Sequence, residues 1–143
     1  MTVPVQFARV SPVFPVHDLA AALAHYASLG FETSGWNGGE RYAFADRDGV
    51  HLHLAEAHEH DHDHGHEPGE EPEHDHRFAA VHVYLYVDDA DALYAEWSRP
   101  GIGGTTHRPC DTPYGLREGA HVDQDGNVLR FGSRLRGAVP DTP

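Results

Sequence analysis

The chain has 143 residues and a mass of 15.8 kDa, which suits one domain with its own core. Its 10 basic residues are all arginine and face 23 acids, and the resulting net charge of -13 argues against binding nucleic acid through its phosphates. The lone Cys110 cannot form an internal disulfide, and no apolar run reaches the roughly 18 residues of a membrane span, so a soluble, cytoplasmic protein is expected.

In chain order, the alternation from Val10 to Val16 predicts a strand. A helix follows, with Asp18 as its N-cap, Leu19, Ala22, Leu23, Tyr26 and Leu29 as its apolar stripe, and Gly30 as its stop. Strands are then expected over Phe31 to Trp36, Arg41 to Asp46 and Val50 to Glu56. The tract from His58 to Arg77 holds eight acids, one arginine and seven of the 14 histidines. It contains no aliphatic or aromatic side chain and so cannot offset its ordering entropy; it reads as a solvated surface loop. Beyond it come a strand over Ala80 to Val87 and a helix capped by Asp89, with Leu93 and Trp97 facing inward and Pro100-Gly101 ending it. Strands near Gly104 to Arg108, Gly119 to Asp123 and Val128 to Gly132 complete the series.

The two halves repeat. Val16, Asp18, Tyr26, Gly30 and Phe31 recur as Val87, Asp89, Trp97, Gly101 and Ile102, and the turn-strand segment DGVHLHL from Asp48 recurs as DGNVLRF from Asp125. The expected organisation is a βαβββ module at 1–57, the inserted tract at 58–77, a second module at 78–133 and a flexible tail at 134–143. With SPVFPVHDLAAALAHYASLGFE in the first half, and YLYVDDADALYAEW and TPYGLREGAHVDQDGNVLRFG in the second, the chain resembles the vicinal oxygen chelate superfamily of glyoxalases, extradiol dioxygenases and bleomycin-resistance proteins. Its C-terminal half is most similar to the last of these. The resemblance implies an α+β fold, two tandem βαβββ modules forming a curled mixed sheet around a ligand cleft. It also implies a homodimer, with Pro12 and Pro15 as a hinge where the first strand crosses to the partner.

Residue by residue, the metal-ligand positions of the superfamily's enzymes fall on Ser11, His53, His82 and Arg130. A guanidinium cannot coordinate a cation, so His53 and His82 are the competent pair, with Glu118, His51 or His121 available to complete a nonstandard site. Strand alternation puts His51 and His53 opposite Leu52 and Leu54, and His82, Tyr84 and Tyr86 opposite Val83, Leu85 and Val87. The expected cleft lining is therefore Trp36, Tyr42, His51, His53, His82, Tyr84, Tyr86 and Arg130. Arg130 would bind an anionic group or pair with an acid such as Asp123.

Tyr84 and Tyr86 read either as ordinary sheet residues or as a stacking surface for a flat ligand. No nucleophile elbow surrounds any serine, no base lies near Cys110 in sequence, and the glycines at 101, 103 and 104 make a turn, not a phosphate loop. In the tract, His58, His60, His62, His64, His66, His74 and His76 alternate with or neighbour carboxylates, and could wrap zinc, nickel or copper. Three functions follow as expectations. The leading one is non-catalytic sequestration of a cationic aromatic glycopeptide of the bleomycin type, with no cofactor required. A divalent-metal-dependent lyase, isomerase or dioxygenase is the second, and a metal-binding protein acting through the tract the third.

Overall fold

The computed structural model describes residues 3–35, 41–57 and 79–135. The histidine tract, Trp36 and the last eight residues lie outside them. In the first module β1 (Val13–Val16), α1 (Leu19–Ser28), β2 (Glu32–Gly35), β3 (Tyr42–Arg47) and β4 (Val50–Glu56) form a sheet in the order β1-β4-β3-β2. The second repeats it: β5 (His82–Tyr86), α2 (Ala90–Trp97), β6 (Thr105–Asp111), β7 (Leu116–Val122) and β8 (Val128–Arg134), in the order β5-β8-β7-β6. In each sheet the first and last strands pair in parallel and the other pairs are antiparallel. These are two mixed sheets, neither of them closed. No helix among the described residues is long and apolar enough to cross a membrane.

Local chemistry accounts for the elements. Asp18 accepts from the Ala21 amide at 3.1 Å and Asp89 from the Ala92 amide at 3.0 Å, each satisfying an otherwise orphaned donor at a helix start. The repeat extends to backbone angles: Gly30 and Gly101 end the helices with φ of 90° and 89°. The first strand is shorter than expected, because Pro12 has no N–H to continue the ladder; its carbonyl still accepts from the His53 amide at 3.0 Å. The later strands run longer, and β6 does so through a register shift between His107 and Cys110 beside Pro109.

Each helix covers one face of its own sheet, and the covered sides share one core. Phe14, Tyr26, Leu29, Leu52 and Leu54 of the first module meet Trp97, Leu129 and Phe131 of the second, each burial contributing roughly 1.5–3 kcal/mol. Leu23 and Leu93 pack half-buried at its margin. Polar ties cross the seam: Trp97 Nε1 donates to the Leu29 carbonyl at 3.0 Å, and Arg47 grips Glu96 at 2.6 and 3.0 Å. His25 and His121 bring their Nε2 atoms within 2.9 Å. The Asp123–Asn127 turn is a further tie. Asp123 accepts from Tyr26 Oη at 2.8 Å, Asn127 donates to the Pro15 carbonyl at 2.9 Å, and Asp125 bonds the His17 amide at 2.9 Å. Both ends of the connection between modules reach this turn. The Ala57 amide donates to the Val16 carbonyl, next to His17, and the Val81 amide donates to Asn127.

Candidate functional site

Since helices take one face of each sheet, the other faces are bare, and period-two alternation fixes what they present. On the second sheet the register sets Tyr84 beside Arg130 and both Tyr86 and Glu118 beside Gly132. Glu118 is only 8% exposed and fully engaged. Its Oε1 accepts from Tyr84 Oη at 3.0 Å and Tyr114 Oη at 2.6 Å, and its Oε2 from Arg130 Nη2 at 2.6 Å. Burial works against the Glu118 charge, but the bonds from Tyr114 and Tyr84 and the Arg130 guanidinium outweigh it and hold the carboxyl below its ordinary range. In return, burial and the bond to Glu118 push the Tyr84 hydroxyl up to about 12. Gly132 makes this possible, because a Cβ there would collide with Tyr84 Oη and block its path to Glu118.

Around this saturated carboxylate lies an aromatic surface. The Tyr84 and Tyr86 rings are 4.9 Å apart at 54°, the Arg130 guanidinium sits 5.9 Å from the Tyr84 ring, and Tyr86 and Tyr114 are 83% and 58% exposed. The patch offers ring faces and a guanidinium edge. With three donors on Glu118, it offers no carboxylate available as a general base.

On the first sheet the open face carries Tyr42, Phe44 and Asp46 of β3 and His51 and His53 of β4. Phe44 stacks on His51 at 5.5 Å and 18°, Tyr42 Oη lies 2.5 Å from His53 Nδ1, and Asp46 Oδ1 bonds His51 Nδ1. Burial, then His51 and Arg9, lower the His53 pKa and favour its neutral form.

The expected lining is thus divided: Tyr42, His51 and His53 share one face, and His82, Tyr84, Tyr86 and Arg130 the other. Trp36 and the histidines at 58, 60, 62, 64, 66, 74 and 76 lie outside the described residues. Three expectations are corrected. Arg130 pairs with Glu118, not Asp123, which is committed to the turn. His121 is fully buried between His25 and Thr106 and cannot line an open face. His53 and His82 stand on different sheets, and among the described residues no group of three or more His, Cys, Asp or Glu is placed to hold a metal ion. With Arg130 tied to Glu118, the four superfamily ligand positions do not fit a metal within one chain.

Sequence reasoning missed Tyr114 and Phe44 as members of these faces. It also missed a groove of 460 Å³ between α2, β5 and the β3–β4 turn, with Phe31, Leu85, Leu93 and Trp97 in its wall and Arg47 and Glu96 lining it too.

A family model described as the Glyoxalase/Bleomycin resistance protein/Dioxygenase superfamily matches residues 7–131. Among solved structures, a bleomycin resistance determinant encoded on the transposon Tn5 is 22% identical, with a TM-score of 0.66 over 90% of this chain and 98% of that one. A bleomycin-binding protein from bleomycin-producing Streptomyces verticillus, complexed with copper(II)-bleomycin, is 25% identical, with a TM-score of 0.63 over 92% and 100%. A glyoxalase-related enzyme from Clostridium phytofermentans is 15% identical, with a TM-score of 0.67 over 92% and 98%. No curated protein matches the chain.

Proposed function

Because the chain belongs to the glyoxalase/bleomycin resistance protein/dioxygenase superfamily, we propose that it sequesters a flat aromatic small molecule of the bleomycin class without changing it chemically. The observation that carries this reading is the bare tyrosine patch around an already saturated Glu118. Such a surface binds by stacking, at roughly 0.5–1.5 kcal/mol per ring pair beyond area burial, and has no proton to take or give near neutral pH. The likeness to a bleomycin-binding protein supports the choice of ligand class. The net charge of -13 suits a cationic ligand through long-range attraction, which raises encounter rates roughly 10- to 1,000-fold at low salt. It does so from a distance, since the patch's own carboxylate is paired with Arg130.

A second copy belongs to the proposal. An open sheet face makes half a cleft, and Val3, Val5, Phe7 and Val10 of the leading segment are 86–96% exposed, an apolar stretch suited to burial against a partner. The reading therefore includes a homodimer whose leading segments pack on each other's copies. Calorimetry with bleomycin on the natural protein and on Tyr86→Ala tests the cleft. The expected loss is about 2- to 13-fold, the equivalent of one stacked ring. Unchanged affinity places the ligand elsewhere, and no binding at about 100 µM rejects the ligand class. Light scattering that returns the mass of one chain rejects the dimer.

A further inference from the structure

We propose that His51 and His53 form a chelating pair for one divalent transition cation of the zinc, nickel or copper class on the open face of the first sheet. The proposal stands apart from the ligand reading above and uses none of the tract histidines.

The two residues occupy alternate positions of β4 and so project from one face. Their ring centroids are 5.0 Å apart and their planes cross at 89°. With a metal–nitrogen bond of about 2.0–2.1 Å, two imidazoles sharing one cation at roughly right-angled to tetrahedral geometry place their centroids about 4.5–5.2 Å apart. The observed spacing falls inside that window, so little rearrangement is needed.

The hydrogen bonds behind the rings prepare the donors. Asp46 Oδ1 meets His51 Nδ1, and a carboxylate at neutral pH only accepts, so the ring proton stays on Nδ1 and the Nε2 lone pair is left for coordination. Tyr42 Oη lies 2.5 Å from His53 Nδ1, and a phenol oxygen can accept from that nitrogen in the same sense. Partners of this kind behind ligating histidines fix ring orientation and raise ligand basicity. Phe44 contributes no donor but wedges both rings, stacked on His51 and edge-on to His53 at 5.0 Å.

The donor set also selects the metal class. Two imidazoles suit zinc, nickel and copper. Calcium or magnesium would want oxygen ligands, and the nearby carboxylate of Asp46 is occupied by His51. Two protein donors leave the remaining coordination positions to water or to donor atoms of a bound chelating molecule. Arg9 is the opposing charge near His53, and Asp46 the compensating one.

The test uses the full-length chain with its seven tract histidines changed to serine, so that they do not mask the site, and titrates it with Ni(II) by calorimetry. One nickel per chain is expected. His51→Asn or His53→Asn should weaken uptake more than tenfold, and Asp46→Asn, which disturbs positioning only, about 10- to 100-fold. No uptake by the serine-tract protein, or equal uptake after both histidine changes, overturns the proposal. A second measurement needs no variant: substoichiometric Cu(II) added to the natural protein should broaden the His51 and His53 ring resonances and spare buried His121. Broadening confined to tract histidines overturns it as well.

Discussion

Acid should loosen the seam between the modules through one buried histidine. Thr106 Oγ1 donates its only proton to the Trp97 carbonyl at 3.1 Å, so it accepts from His121 Nδ1 at 2.7 Å. His121 Nε2 is then an acceptor, and the facing nitrogen of His25, 2.9 Å away, is its donor. The neutral pair satisfies every one of these atoms, whereas a second proton would set two N–H groups against each other inside the core. Around the pair stand His107, Asp123, Asp125 and Tyr26. Burial first, then His25 and His107, depress the His121 pKa to about 4 from its ordinary 6.5. A histidine with a depressed folded-state pKa stabilises fully above 6.5, and that contribution drains away as pH falls towards 4, because the unfolded chain binds the proton more readily. At about 1.4 kcal/mol per pH unit, the loss across this window amounts to about 3 kcal/mol. Urea unfolding of the natural protein and of His121→Gln at pH 7.5, 6.5, 5.5 and 4.5 isolates it, since the other titrating groups contribute to both profiles. The natural protein should lose more stability than the variant between pH 6.5 and 4.5. Parallel profiles, differing in slope by less than about 0.5 kcal/mol over that range, would refute the reasoning.

Gly132→Ala should destabilise by about 1–3 kcal/mol and expose Tyr84 to solvent, read from urea midpoints and tyrosine fluorescence, because the new methyl group collides with Tyr84 and comes within 3.3 Å of Glu118 Cγ. Glu96→Gln should cost about 1–2 kcal/mol in the same assay, since Arg47 would lose its bidentate partner across the seam and keep only the Leu29 carbonyl. Asp18→Ala and Asp89→Ala should each cost about 1 kcal/mol in thermal unfolding and, lying at separate helix starts, should add in the double variant. Changing all seven tract histidines to serine should shift affinity for a cationic ligand less than tenfold by calorimetry, since their charges act only at long range.

The fold was legible because the information is local and written twice. Asp18 and Asp89 announce helix starts, Gly30 and Gly101 their ends, and Leu52-His53-Leu54 an inside-outside alternation that the sheet obeys. The site was legible only where parity was applied. Counting back from the Asp123–Asn127 turn pairs Val122 with Val128 and Ala120 with Arg130, which leaves Glu118 on the face of Arg130 and His121 on the other. Positions three apart on a strand cannot share a face, so Glu118 and His121 were never alternatives for one site. Tyr114 was illegible for a different reason. It sits in the turn from Thr112 to Leu116, where no periodicity aims a side chain, and its bond to Glu118 depends on the path of that turn. The separation of His53 from His82 is likewise a property of how whole sheets pack, which no segment of the sequence carries alone.

The convergence of both ends of the inter-module connection on the Asp123–Asn127 turn has a consequence for what that connection is free to become. A segment that leaves at Ala57 and returns at Ala79 beside the same turn has no distance to bridge. Its length is then limited by closure entropy alone, and doubling it costs only about 0.6 kcal/mol. Natural drift can lengthen, shorten or recolour such a stretch with almost no effect on the two modules it joins. The accumulation of histidine and acid there is thereby uncoupled from folding, and the same spot can accept a foreign domain or an affinity handle while the shared core stays intact.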